Sequence, residues 1–181
     1  VESANATCVV LPTNQPIDPT RNTGDLMRKI NLEQPFHPLY NYAFVTDSEE
    51  GLILVDLATL ADGEPRNNFL KRALTWDGNG ALRGAKHMVL GGYYGYVVTD
   101  TELVVINVDK PLAPKVVARM TLNKPHSVAL QFRYLFVTDA DGLKAIDVTD
   151  PESPVLTPGN VIPLENAQRL HLARTYAYVA A

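Results

Sequence analysis

His37, His87, His126 and His171 are all the histidines in the chain, and they recur at intervals of 50, 39 and 45 residues. Imidazole can ligate a metal, and it changes protonation near neutral pH. If each histidine opened the innermost strand of a repeated unit, the four would form a partial ring at one mouth of a central channel. A ring of that kind would hold a metal, or would hydrogen-bond a ligand or the edge of a neighbouring cofactor. One histidine per repeat is also what a structural tie requires, because every unit has the same packing need. No H-x-x-x-H spacing accompanies them, so the structural reading is preferred over a metal-dependent enzyme.

Other chemistries are weaker. Asp47, Asp100 and Asp139 each follow a threonine. "DADG" at 139–142 resembles the start of a calcium loop but lacks its remaining acidic ligands. Turn capping by the aspartates accounts for the recurrence more simply. Asp56, Asn107 and Asp147 share a second repeated position, where each is expected to satisfy backbone groups at a turn. "GGYYG" (91–95) does not open a helix after a strand, so it is no dinucleotide loop. None of the four serines lies in G-x-S-x-G. Ser127 follows His126 directly, and neighbours in a strand face opposite ways. Catalysis has no positive signal, and the reading leans away from an enzyme.

The single cysteine, Cys8, excludes an intrachain disulfide and a C-x-x-C-H haem attachment, so no cofactor is expected in this segment itself. Net charge is −4 and no Lys/Arg run exceeds a pair, which argues against nucleic acid. The longest apolar runs, such as Leu52–Val55 and Leu103–Ile106, are strand-sized, too short for a membrane span. Asn5-Ala6-Thr7 is a formal glycosylation triplet.

The elements that would position these residues repeat as well. "YAFVTDSEEGLILVDL" (42–57), "YVVTDTELVVINVDKPLAPKV" (96–116) and "YLFVTDADGLKAIDVTDPESPV" (134–155) are versions of one phrase. Each joins an aromatic and β-branched run to a second apolar run through turn residues, which is the pattern of a β-hairpin. The proline-containing stretches that follow cannot continue a central strand. They mark the crossing to outer strands at "KVVARMTL" (115–122) and "VLTPGNVIPL" (155–164). Helix signals are weak, and the best candidate is "NNFLKRALTW" (67–76).

"GLILVDL", "ELVVINV" and "GLKAIDV", with their preceding Y-x-[FY]-V runs and following prolines, resemble the LVIVD-repeat family over about residues 17–181. The resemblance implies an all-β fold, a β-propeller of four-stranded antiparallel blades, often in exported, hence extracellular or periplasmic, proteins. This chain would cover about three full blades and two partial ones. Residues 1–16 read as an N-terminal segment or partial blade, and 17–36 as the outer part of a preceding blade. Residues 37–86 form a blade with an insertion at about 58–82, 87–125 and 126–170 form compact blades, and 171–181 begin a truncated one. Propellers typically have four to eight blades, so the propeller is expected to continue beyond these residues, in this chain or another.

The function expected of such a chain is a non-catalytic binding or scaffold module of a larger exported protein, docking another protein or domain. Phe69 and Trp76 in the insertion, with Tyr93 and Tyr94, are the candidate contacts. The alternative is an accessory propeller of a multihaem c-type cytochrome assembly. In that reading the haem belongs to a partner or another part of the polypeptide, and the four histidines approach it.

Overall fold

The computed structural model describes residues 1–12, 37–60 and 64–181. The aromatic and β-branched runs become strands, and the turn residues between them become hairpins. Sheet order follows chain order: β1 (Ala6–Val10), β2 (Tyr42–Asp47), β3 (Gly51–Asp56) and β4 (Lys71–Trp76) make the first sheet. β5 (His87–Gly91), β6 (Tyr94–Val98), β7 (Glu102–Asn107) and β8 (Lys115–Thr121) make the second. β9 (Ser127–Gln131), β10 (Tyr134–Asp139), β11 (Gly142–Asp147) and β12 (Val155–Pro163) make the third. β13 (Leu170–Ala173) and β14 (Tyr176–Val179) form a two-stranded fourth. All pairings are antiparallel.

The innermost strands pack in sequence, β1 on β5, β5 on β9 and β9 on β13. Four-stranded meanders whose first strands line a common axis are propeller blades, here an all-β arc of them. The cores lie between blades. Phe44, Leu52 and Leu54 of the first meet Met88, Val97, Val104 and Ile106 of the second. Tyr96, Val98, Leu103 and Val105 of the second meet Val128, Leu135, Val137 and Ile146 of the third. The second blade is covered on both sides, which is why β6 and β7 read as continuous apolar runs.

A bulge interrupts the pairing of third and fourth strands at the same place in every full blade, at Leu54/Val55, Val105/Ile106 and Lys144/Ile146. Gly142 opens β11 at φ +127, and a Cβ there would lie 2.2 Å from the Ile162 carbonyl oxygen. Only glycine fits that approach.

Three expectations are corrected. The innermost strand of the first blade is Ala6–Val10, supplied by the N-terminal segment and not by residues after His37. The helix candidate at 67–76 is instead strand β4 from Lys71 onward. There Leu74 and Trp76 alternate onto the core with a period of two, and pairing with β3 overrides local propensity. The expected insertion at 58–82 is therefore a long third-to-fourth loop followed by the blade's own outer strand. The expected partial blade at 17–36 lies outside the described residues.

Candidate functional site

Meander topology gives the arc two faces. The leading face carries the starts of the inner strands and the second-to-third turns. The trailing face carries the first-to-second turns and the third-to-fourth loops.

On the leading face, Thr7, Lys86, His126, Gln168 and Arg169 line a cavity of about 350 Å³. Lys86, His126 and Gln168 occupy one repeat position, each donating its backbone N–H to an equivalent second-strand carbonyl: Val98, Thr138 and Ala180. Thr7 reaches the matching Thr46 carbonyl with its hydroxyl, at 3.1 Å. Lys86 Nζ lies 3.1 Å from Asp100 and donates to the Pro125 carbonyl at 3.3 Å. Burial and then Lys86 push the His126 pKa below its ordinary value, against the pull of Asp139.

The histidines do not form a ring. His126 alone lines the cavity. His87 opens β5, and its Nδ1 accepts from the Val128 N–H of the next blade at 3.3 Å, which leaves the ring proton on Nε2. Burial and then Arg169 depress its pKa. The same position carries Ser127, whose hydroxyl accepts from the Leu170 N–H at 3.3 Å, and Cys8, which approaches the Met88 carbonyl at 4.0 Å. His87, Ser127 and Cys8, at this position in the three full blades, thus each reach the next blade, and Arg169 holds the same position in the fourth. His37 sits on the trailing side before β2, buried, capping a 3₁₀ turn (Pro38–Asn41) through Nδ1. Its Nε2 donates to Asp109 of the second blade at 3.2 Å, and its ring packs on Tyr93 at 4.9 Å between centroids. His171 is exposed within β13. The separation follows from the first blade taking its inner strand from residues far ahead of His37. Among the described residues, no three His, Cys, Asp or Glu side chains gather as a metal site.

The aspartates divide. Asp47 Oδ1 accepts from the N–H groups of Glu49 and Glu50 at 2.8 and 2.9 Å, and Oδ2 from Asn5 N–H at 2.7 Å and from the Ser3 hydroxyl. Burial alone would raise its pKa, but these bonds outweigh that and hold it at about 2. Asp139, also fully buried, caps its turn through Asp141 N–H and pairs with Lys144 at 2.6 Å. Lys144 bridges on to Asp141 at 2.6 Å, and against the opposing effect of burial the two carboxylates raise its pKa. Asp100 stands one position later, because β6 ends at Val98, so it points to solvent while Thr99 closes the turn. Asp56, Asn107 and Asp147 accept from the N–H groups of Ala58, Asp109 and Thr149 at 2.8, 2.9 and 2.8 Å.

Of the contact candidates, Phe69 is exposed on the trailing face. Tyr93 packs on His37, and Tyr94 donates to Glu152 at 3.4 Å. Trp76 is half-buried against the core at the leading end of β4. Sequence reasoning missed Lys86, Gln168 and Arg169, whose only signal is their place just ahead of an inner strand. It also missed the exposed trailing-face residues Phe132 and Leu112, apolar side chains within turn-forming stretches.

The LVIVD repeat family model matches residues 40–61 and 124–159. The two matched segments together make up about a third of the chain. The matched LVIVD segments cover β2 and β3 in the first blade and β9 to β11 in the third. No curated protein matches in sequence. Two solved structures are similar in shape. One is KlHsv2 with loop 6CD replaced by a Gly-Ser linker, at 11% identity and TM-score 0.48 over 78% of this chain and 41% of that one. The other is Kluyveromyces lactis Hsv2 with complete loop 6CD, at the same identity and TM-score over 78% and 38%. The chain thus spans about two fifths of either. No helix among the described residues is long and apolar enough to cross a membrane.

Proposed function

We propose that this chain is a non-catalytic binding module of a larger exported protein, docking another protein or domain on its trailing face. Export rests on the repeat resemblance alone. One observation carries the docking reading: exposed apolar residues are one-sided. Of the twelve exposed large apolar side chains among the described residues, eight lie at trailing-face positions: Leu11, Leu60, Phe69, Leu70, Leu112, Phe132, Val155 and Tyr176. Scattered apolar residues need no account, but a concentration on one face marks an interaction surface. Of the other four, only Val1 and Ile162 lie at leading-face positions.

Phe132 adds support. It is 91% exposed and has φ +55, at a turn position where the second blade has Gly92 at φ +59. A bulky aromatic there costs about 1 kcal/mol over glycine, and its side chain gains nothing inside this chain. Strain kept at an exposed aromatic fits use by a partner.

The test is a photo-crosslinking residue at position 132 or 112, compared with one at 141 on the leading face, in the native host. Crosslinks to one partner from the trailing positions alone support docking. Equal crosslinking from both faces, or none, refutes it. Haem absorbance in the captured complex, with several haems per partner chain, would favour the multihaem cytochrome alternative.

A further inference from the structure

The cavity on the leading face is separate from the docking surface, and its chemistry is that of an anion site. It is built from the starts of successive inner strands, so its lining is fixed by backbone bonds common to the blades. Two permanent cations face it, Lys86 and Arg169. Asp100 offsets Lys86. The Arg169 side chain is exposed and has no ion pair or hydrogen bond with any described residue, so no described acceptor holds its guanidinium donors. Asp139 is held by Lys144 and backbone N–H groups and brings no free carboxylate. His126, Gln168 and Thr7 complete the lining with polar groups. The volume falls at the small end of ligand pockets.

We propose that this cavity binds a small oxyanion, a carboxylate or phosphate group, clamped by Arg169 and Lys86 with polar contacts from His126 and Gln168, while the Thr7 hydroxyl proton stays on a backbone carbonyl. The planar guanidinium meets such a group through two parallel hydrogen bonds, and the ammonium adds a point charge. The group belongs either to a free small molecule or to an acidic side chain of a bound protein.

Calorimetric titration of the purified chain at low ionic strength, with citrate, inorganic phosphate and an acetylated tetraglutamate peptide, tests this. Saturable one-to-one binding of at least one is expected, weakened about tenfold by Arg169→Gln, because a charge-assisted contact is lost. Lys86→Gln weakens it less, since Asp100 already offsets that charge. Preference for citrate or phosphate indicates a free ligand, and preference for the peptide indicates a protein side chain. Arg169 is exposed and bonds no described residue through its side chain, so Arg169→Gln is expected to fold like the parent. Absence of binding by all three probes, or binding unchanged in Arg169→Gln, overturns the proposal. Neither outcome bears on crosslinking from the trailing face.

Discussion

Replacing Asp47 by asparagine isolates one buried charge. The carboxylate is fully buried and accepts four hydrogen bonds, and its pKa falls from the ordinary 3.8 to about 2. A folded-state pKa below the unfolded one means that the unfolded chain binds the proton more readily. The stabilisation is therefore complete above about pH 5 and is lost as pH falls toward 2. At 1.36 kcal/mol per pKa unit, the ionised carboxylate contributes about 2 kcal/mol at pH 7, about half of that at pH 3 and little at pH 2. Asparagine keeps the shape and can still accept from Glu49 and Glu50. Its amide NH₂, however, meets the Asn5 N–H, donor against donor. Urea denaturation of parent and Asp47→Asn at pH 7, 4, 3 and 2 reads the difference directly, since the other carboxylates titrate in both proteins. The gap should be about 2 kcal/mol or more at pH 7 and narrow by about that amount by pH 2. A gap independent of pH would refute the reasoning, because the loss would then come from shape and not from charge.

The remaining expectations concern the ties within and between blades. His87→Ala leaves the Val128 N–H unpaired and should lower stability by about 1–2 kcal/mol in the same assay; a loss under about 0.3 would show that water replaces the bond at no cost. Lys144→Met strands the buried Asp139 carboxylate and should cost about 3 kcal/mol or more. Adding Asp139→Asn should recover much of that, and additive losses would contradict the pairing. Gly142→Ala forces a methyl onto the Ile162 carbonyl and an unfavourable φ, and should cost more than about 2 kcal/mol. An unchanged urea midpoint would refute the close approach.

Local features were legible in the sequence and assembled ones were not. Asp56, Asn107 and Asp147 each bond a backbone N–H two residues on, so repetition alone revealed them. The outer strands at Lys115–Thr121 and Val155–Pro163 were legible from prolines that end one strand before the next begins. Asp100 follows threonine as Asp47 and Asp139 do, but a strand one residue shorter turns it to solvent. The spacing of His37 suggests an inner strand, but the first blade's inner strand comes from far earlier in the chain, a non-local pairing that no spacing announces. The cavity was invisible for the same reason, since each blade gives it a different residue. Divergence at one repeat position was the available signal, and reasoning from recurrence discards it.

The central claim is that the trailing face docks a protein, and affinity for the crosslinked partner tests it most directly. Phe132→Gly relieves the left-handed turn and should raise stability by about 1 kcal/mol, while Leu112→Ser, at an exposed loop position, should leave stability unchanged. Together they remove two apolar anchors, each supplying up to about 1.5–3 kcal/mol when fully buried. The dissociation constant should therefore rise at least about thirtyfold, while Glu50→Gln on the leading face should leave it unchanged. An unchanged constant in the double variant, with loss in Glu50→Gln, would place the interface on the opposite face and contradict the account.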